Sequence, residues 1–308
     1  MMDAKTGQPC LKRTSLSRKE YMKAFKKTSR LREMWDIFRR NRLAVIGLVI
    51  LLIFVLLALF ANIIADYNTV VIKVDPANRL MTPGGDHIFG TDELGRDIFA
   101  RIIHGTRISL RLGVCSVLVA LFFASIIGAS AGYIGGRFDD VVMRIVDIMA
   151  CIPSMVLAIA IVASFGSSEL NIIMALGIST VASMSRVIRS AVLSVRDMEY
   201  VEAARAIGQK TPKIVFAHVL VNCVAPIIVQ ATLMIAINIM NVSALSFLGM
   251  GIAAPSPEWG CMIAGARNYM RQYPHLMIAP GLAIFFSAFA FNLVGDGLRD
   301  ALDPKLKQ

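Results

Sequence analysis

Residues 43–65 read LAVIGLVILLIFVLLALFANIIA, an apolar stretch of 23 residues without a charged side chain. A helix that crosses a bilayer needs about 20 predominantly apolar residues, so this stretch is long enough to span one. It is too long, and begins too far from the first residue, to be the apolar part of a cleaved signal peptide. The stretch therefore predicts a membrane-spanning helix.

Further apolar stretches predict the rest of the fold. They are Leu112–Gly136, Ile148–Ser168, Leu170–Ser185, Val219–Pro257 and Leu276–Gly295. The weakest, Leu170–Ser185, is expected to extend through Arg186 and Arg189 as its helix leaves the membrane. The longest holds one span and an apolar external segment. We expect an all-α membrane protein with six transmembrane helices.

The overall composition agrees with a membrane location. Of the 308 residues, 56% are apolar and 17% are charged, and the mean hydropathy is +0.65. Soluble domains have about 45–50% apolar and 25% charged residues. The composition therefore excludes an ordinary soluble protein.

Positive charge is concentrated before the first span. Residues 1–42 contain 13 Lys and Arg against 4 Asp and Glu. Such a tail could bind nucleic acid. Its position directly before an apolar stretch favours a role in fixing membrane topology, because Lys and Arg are enriched in cytoplasmic segments. We expect membrane lipid, and no nucleic acid, around it.

The same bias orients the chain with both termini in the cytoplasm. Arg137, Arg144, the basic stretch 186–213 and the C-terminal residues then lie inside, whereas the five arginines of 66–111 lie outside, offset by six acidic residues. The expected segments are a cytoplasmic tail 1–42, a first helix 43–65, an external loop 66–111, a five-helix core 112–297 and a cytoplasmic tail 298–308.

Motifs for covalent chemistry are missing. The sequence has no GxxxxGK[ST] or HExxH motif and no CxxC pair, and its four histidines are scattered. We expect no catalytic residue, no metal site and no cofactor bound by this chain.

One string imitates a hydrolase motif. Residues 128–132, GASAG, match GxSxG but lie within a span and have no histidine in a neighbouring span. Small residues recur every four positions there, which favours close packing of another helix. The predicted packing residues are Ala124, Gly128, Gly132 and Gly136.

Residues 196–222, RDMEYVEAARAIGQKTPKIVFAHVLVN, predict two short helices joined by a turn. Asp197 is expected to cap the first helix, and Gly208 to end it in a left-handed conformation. Thr211 is expected to cap the second, with Pro212 in its first turn.

The first of these helices carries a candidate docking face. Tyr200, Ala203, Ala204 and Ile207 share one side at helical spacing, with small residues where a partner could approach. The segment is either such a docking element or an ordinary solvated loop.

Glu202-Ala203-Ala204, followed after three residues by Gly208, resembles the EAA motif of ABC-importer permeases. In that family this segment forms coupling helices that dock into the ATP-hydrolysing subunit. The resemblance implies coupling roles for Tyr200, Glu202, Ala203, Ala204, Ile207 and Gly208. The family's usual proline after Leu220 is replaced by Val221, and Pro226 follows later.

Three further blocks narrow the resemblance. They are FGTDELGRD at 89–97, SFLGMG at 246–251 with PEWG at 257–260, and NLVGDGLRDALDP at 292–304. Together they are similar to the second permease subunit (DppC/OppC type) of the dipeptide/oligopeptide/nickel family, over roughly residues 35–305.

The resemblance implies a type I ABC importer permease fold in a bacterial or archaeal inner membrane. It implies a heterodimer with a homologous permease, two ATPase subunits that bind ATP and Mg²⁺, and an external substrate-binding protein. The expected cargo is a di- or oligopeptide, with nickel or another small solute as the alternative.

Two other classes compete with an ABC permease. An ion-coupled secondary transporter would show repeated halves or intramembrane acids. We find no convincing repeat, and Asp147, the one acid near a span, is expected to pair with Arg144. An intramembrane hydrolase rests on Ser130 alone.

Three amides mark a candidate translocation path in the fifth span. Gln230, Asn238 and Asn241 fall within an arc of about 80° if the span is helical. Polar side chains in spans face the protein interior or a wet cavity. These amides therefore either line the path or hydrogen-bond to neighbouring helices.

Overall fold

The computed structural model describes residues 30–302. Between those limits the regular structure is helical, and extended pairing is confined to two isolated bridges, Gly84 with His87 and Thr91 with Asp97. The all-α prediction is confirmed. Most of the expected N-terminal tail, residues 1–29, and the end of the C-terminal tail, residues 303–308, lie outside the described residues.

The helices follow one another with short connections, apart from two longer segments at 65–97 and 248–258. They are α1 Arg30–Arg40, α2 Arg42–Ile64, α3 Ile98–Ile134, α4 Gly136–Cys151, α5 Ser154–Phe165, α6 Glu169–Leu193, α7 Glu199–Ala206, α8 Thr211–Lys213, α9 Leu220–Asn222, α10 Val224–Phe247, α11 Trp259–Ala266 and α12 His275–Leu302. The stretch Ile214–Val219 between α8 and α9 is π-helical.

Five of these helices, α2, α3, α6, α10 and α12, are long and apolar enough to cross a membrane. The pair α4 and α5 would supply a sixth span, and the two helices meet at 82°. The apolar stretch 148–168, which was predicted as one span, is therefore divided between two helices. Pro153 at the break has no backbone N–H to donate, and the 12 residues of α5 cover only about 18 Å of a bilayer core about 30 Å thick.

Some helices extend beyond the apolar stretches that predicted them. α3 begins at Ile98, inside the expected external loop, and the Asp97 carboxylate caps it by accepting from the Ala100 N–H at 2.8 Å. α12 continues to Leu302, past the expected end at Gly295. α6 continues through Arg186 and Arg189, as predicted. Capping and tertiary contacts, rather than hydropathy, set these ends.

Close helix contacts at glycines hold the bundle together. A Cβ at Gly177 of α6 would lie 2.7 Å from Val119 of α3, and a Cβ at Gly47 of α2 would lie 2.7 Å from Leu293 of α12. Lipid tails are as apolar as the side chains, so small residues that permit close approach favour helix association in a membrane. We call the end of the bundle where α3 and α6 finish the coupling end.

Candidate functional site

The turn of the EAA-like segment lies between α7 and α8. Gly208 has φ +77°, and its N–H donates to the Arg205 carbonyl at 3.0 Å. The next N–H, of Gln209, donates to the Ala204 carbonyl at 3.2 Å, and the Gln209 Oε1 and His218 Nε2 atoms lie 2.8 Å apart. The predicted left-handed stop at Gly208 is confirmed.

The two predicted caps are wrong. Met198, with extended backbone, occupies the cap position of α7 and makes no side-chain hydrogen bond to it. The Asp197 carboxylate accepts from Arg196 Nε at 3.1 Å instead. Lys210 occupies the cap position of α8, and Thr211 is its first residue. Pro212 lies in the first turn, as predicted.

α7 buries one side and exposes the other. Val201 and Ala204 are buried against Ile214 and Val215 of the π-helical stretch. The opposite side carries the remaining EAA-like residues, all of them exposed: Tyr200, Glu202, Ala203 and Ile207. Ile207 is 75% exposed, although an isolated protein gains by burying such a side chain. Of the expected docking face, Ala204 alone turns inward.

Hydrogen bonds tie this segment to the ends of the spans. Arg205 Nη2 donates to the Tyr133 hydroxyl at 3.3 Å, and Arg196 Nη1 donates to the Gly132 carbonyl at 3.2 Å. Both acceptors belong to the last turn of α3. The hydrogen bond to Tyr133 raises the pKa of Arg205. A cleft of about 540 Å³ separates the segment from the α3–α4 turn.

A second tie joins α6 to α4. Arg189 Nε and Nη2 donate to the two carboxylate oxygens of Asp139 at 2.6 and 2.5 Å. Such a bidentate pair fixes both position and orientation. Arg186 Nε, one turn earlier on α6, lies 3.7 Å from Asp147 Oδ1. The prediction that Asp147 pairs with Arg144 is therefore wrong, because the fold brings α6 beside α4.

Three of the four predicted packing residues lie where α3 meets α6. Ala124 is fully buried. A Cβ at Gly128 would lie 2.5 Å from the Ser185 carbonyl oxygen, and a Cβ at Gly132 would lie 3.0 Å from the Arg189 carbonyl oxygen. Gly136 does not belong to this set, because α3 ends at Ile134 and Gly136 starts α4 in an exposed position with φ +57°.

Ser130 of the GxSxG string bonds to its own helix. Its hydroxyl donates to the Ile126 carbonyl at 2.6 Å. This i to i−4 bond satisfies a hydroxyl inside a membrane helix without any partner residue.

The three amides of α10 fall in different surroundings. Asn238 is 1% exposed; its Nδ2 donates to Ser116 Oγ at 2.8 Å, and its Oδ1 accepts from Thr180 Oγ1 at 3.4 Å. Gln230 lines a cavity of about 760 Å³ between the coupling ends of α6, α10 and α12, with Asn222 and Arg299. Asn241 is half-buried outside that cavity.

A buried charged cluster occupies the opposite end of the bundle. Asp92 Oδ2 lies 2.7 Å from Arg96 Nε and 3.5 Å from Arg101 Nε, and its Oδ1 accepts from two backbone N–H groups. Arg101 also donates to the Val71 carbonyl at 3.1 Å. These side chains were expected in the external loop, Asp92 and Arg96 within the GTDELGRD block, and no pairing between them was predicted. Their i,i+4 spacing inside the GTDELGRD block was the available signal.

Glu258 is fully buried beside this cluster and caps α11. Its carboxylate accepts from the N–H groups of Gly260 at 2.8 Å and Cys261 at 2.9 Å. The adjacent Trp259 ring covers Gly105 of α3, where a Cβ would lie 2.7 Å from Trp259 Cδ1. The segment 65–97, α3 and α11 are thereby packed into one unit.

No group of three His, Cys, Asp or Glu residues with a metal-binding arrangement occurs among residues 30–302.

Two family models match the sequence. Residues 124–308 match the binding-protein-dependent transport system inner membrane component, and residues 29–83 match the N-terminal transmembrane domain of oligopeptide transport permease C.

Curated relatives cover most of the chain. The dipeptide transport system permease protein DppC of Alkalihalophilus pseudofirmus is 45% identical over 276 residues, 90% of each chain. The di/tripeptide transport system permease protein DppC of Pseudomonas aeruginosa is 43% identical over 91% of this chain and 93% of its own length. The glutathione transport system permease protein GsiD of Pectobacterium atrosepticum is 42% identical over 90% and 91%.

The long apolar helices, the EAA-like segment at the coupling end and these matches agree with one another. The chain belongs to the binding-protein-dependent transport system inner membrane component family and is a permease subunit of an ABC transporter in the cell membrane.

Proposed function

We propose that this chain forms half of a translocation path for di- and oligopeptides and performs no covalent chemistry itself. A homologous permease supplies the other half, two ATPase subunits bind ATP and Mg²⁺ and drive transport, and an external protein delivers the cargo. The relatives named for dipeptide, di/tripeptide and glutathione transport support a peptide cargo over nickel.

The exposed side of α7 carries the coupling proposal. Ile207 is 75% and Tyr200 39% exposed, and Ala203 lies between them on the helix surface. A contiguous exposed group of apolar side chains marks a contact site, whereas a single exposed one does not, and these three share one face. We assign Tyr200, Ala203 and Ile207 to direct contact with an ATPase subunit, Glu202 to the rim of that contact, and Ala204 and Gly208 to the shape of the element.

The ties at the coupling end give this contact a mechanical consequence. When an ATPase subunit displaces α7, the Arg205–Tyr133 and Arg196–Gly132 hydrogen bonds transmit the displacement to α3. α3 packs along α6, so both helices tilt together. Alternating access follows if the bundle has two packed arrangements.

The proposed path runs beside α10. Gln230 and Arg299 border the 760 Å³ cavity at the coupling end and would offer weak polar contacts to a passing peptide backbone. Asn241 lies farther along α10, where a cavity completed by the second permease would reach it. Asn238 holds α10 against α3 and α6 in this conformation.

Uptake by the complete reconstituted complex tests the proposal. Labelled dipeptide should enter proteoliposomes only with ATP on the ATPase side, and a protonophore should leave the rate unchanged. Uptake driven by an ion gradient without ATP would instead identify a secondary transporter. Uptake of Ni²⁺ but not of peptide would contradict the proposed peptide cargo.

Assembly tests the coupling role separately. Ile207→Ser should lower the amount of ATPase subunit retained during purification, whereas Ile88→Ser, at a similarly exposed site in the 65–97 segment, should not. Equal retention by both variants would remove Ile207 from the contact.

A further inference from the structure

Helix α1 is amphipathic and lies against the coupling ends of α2 and α12. Phe38 is 5% exposed and packs with Ala44 of α2 and Val294 of α12. Asn41, which follows α1, donates to Asp300 Oδ2 at 3.1 Å and caps α2. Asn41 interrupts the helix between α1 and the span, and the Phe38 contacts and the Asn41–Asp300 hydrogen bond hold α1 at the end of the bundle.

An open apolar groove of about 230 Å³ runs between α1 and these two helix ends. It is lined by Met34, Trp35 and Phe38 of α1, Leu48 of α2, and Val294 and Leu298 of α12. The Trp35 ring stacks on Phe38 with 5.9 Å between centroids and stays 52% exposed. Trp at such a position is typical of the boundary between apolar chains and headgroups.

Two arginines lie on the same edge of α1 as Trp35. At 100° per residue Arg32 and Arg39 project within about 20° of each other and about 40–60° from Trp35. Both are exposed, and neither forms an ion pair with another residue of 32–302. Arg40 projects about 140° from Trp35, on the other edge. Exposed Asp36 projects about 40° from Arg32, on the side away from Trp35, so two arginines and one carboxylate share this edge and the charge nearest Trp35 is positive.

We propose that α1 and the groove form a binding site for one anionic phospholipid. The lipid phosphate pairs with Arg32 and Arg39, and the part of an acyl chain nearest the headgroup occupies the groove. Trp35 lies between the phosphate and the acyl chain. A basic amphipathic helix beside a transmembrane helix binds anionic membrane surfaces in this way. The apolar groove beside Arg32 and Arg39 favours a lipid over a soluble anion, because a soluble anion has no use for the groove and would meet Asp36 beside the two arginines.

Fluorescence quenching of Trp35 tests the site in the complete complex. The complex is placed in nanodiscs of phosphatidylcholine, and brominated phosphatidylglycerol or brominated phosphatidylcholine is added in increasing mole fraction. Subtracting the fluorescence of a Trp35→Phe complex leaves the fluorescence of Trp35 alone. The subtraction also removes the contribution of the buried Trp259. Lipid in both leaflets makes the result independent of membrane orientation.

Half-maximal quenching should need less phosphatidylglycerol than phosphatidylcholine. This preference should fall about thirtyfold in Arg32→Gln/Arg39→Gln, which corresponds to about 1 kcal/mol for each arginine near an anionic surface. Arg40→Gln should retain most of it.

Three results would overturn the site. Equal quenching by both lipids would show that α1 lies on the membrane surface without selecting an anionic lipid. If Arg40→Gln lost as much of the preference for phosphatidylglycerol as Arg32→Gln/Arg39→Gln, the preference would come from net charge rather than from a site. Absence of quenching by either lipid would show that a protein segment covers the groove.

Discussion

The guanidinium carbon of Arg205 lies 5.4 Å from the centroid of the Tyr133 ring, and Nη2 of the same residue donates to the Tyr133 hydroxyl at 3.3 Å. Arg205 belongs to α7 and Tyr133 to the last turn of α3, so one side-chain pair joins the EAA-like helix to a membrane span. Arg205 lies inside the EAA-like string, between Ala204 and Gly208, and we propose that it positions α7 rather than contacting the ATPase subunit.

Breaking this pair should lower coupling efficiency without preventing assembly. Arg205→Gln removes the cation and should lower peptide uptake per ATP hydrolysed several-fold, because α7 then moves with less effect on α3. Arg205→Lys keeps the charge over the ring and should restore part of the ratio. Tyr133→Ala should give no further loss in the Arg205→Gln background. Independent, additive losses would contradict a direct pair.

Gly208 tests the turn itself. Gly208→Val forces a branched side chain into φ +77° and should cost about 1–2 kcal/mol, lowering transport and ATPase stimulation while the chain still inserts into the membrane. Gly208→Asn should retain more activity, because Asn tolerates the left-handed region. No heavy atom lies within 4 Å of the added Cβ, so the strain comes from the backbone alone. Equal activity of both variants would remove the conformational requirement.

The packing of α3 on α6 is tested at Gly128, with Ser130 as the contrast. Gly128→Val places its Cβ 2.5 Å from the Ser185 carbonyl and should destabilise the protein by about 1–3 kcal/mol. Gly281→Val, where no heavy atom lies within 4 Å, is the matched control. Ser130→Ala should transport normally, and loss of activity there would revive the nucleophile hypothesis.

The three amide positions of α10, 230, 238 and 241, should differ in their accessibility to water-soluble reagents. A cysteine at 230 should react with small water-soluble thiol reagents in at least one access state, and a cysteine at 238 should stay protected. Asn238→Ala should lower the free energy of unfolding by roughly 0.6 kcal/mol, the average measured for hydrogen bonds between membrane helices, and by no more than about 1.7 kcal/mol, the largest measured. Asn241→Trp should block transport with assembly intact. Protection of 230 and 241 in both states would assign all three to packing.

Impermeant thiol labelling tests the expected cytoplasmic termini. Thr82→Cys should react from outside and Lys210→Cys only from inside; both positions are exposed. Gly90, in the GTDELGRD block, is unsuitable as a labelling position, because the Cβ of a cysteine there would lie 2.3 Å from the Met81 carbonyl oxygen. Labelling in the opposite sense would reverse the topology.

The native cysteines interfere unequally with that labelling. Burial raises the pKa of Cys223 to about 11 and that of Cys261 to about 12. Their thiolate fractions near neutral pH are therefore lower than that of a free cysteine by on the order of a hundredfold or more, and these two thiols should react last. Among the four cysteines within residues 30–302, exposed Cys151 should react first and needs replacement.

The sequence by itself determined which segments cross the membrane and how the EAA-like turn is made. A bilayer requires about 20 apolar residues in each spanning helix, so residues 43–65 carry that information locally. Gly208 likewise predicts its own conformation, because glycine adopts positive φ without a Cβ penalty. The helical break at Pro153 also had a local signal, although residues 148–168 read as one apolar stretch.

Only the tertiary structure decided which polar side chains meet. Asp147 pairs with Arg186 of α6 rather than with nearby Arg144, and Asn238 faces Ser116 of α3. Asp92 is buried between Arg96 and Arg101 in a segment that was predicted only as an external loop. The partners of Asp147 and Asn238 and the burial of Asp92 all depend on how separate elements pack. Helical spacing predicts the direction of a side chain on its own helix, but the neighbour in that direction belongs to the fold.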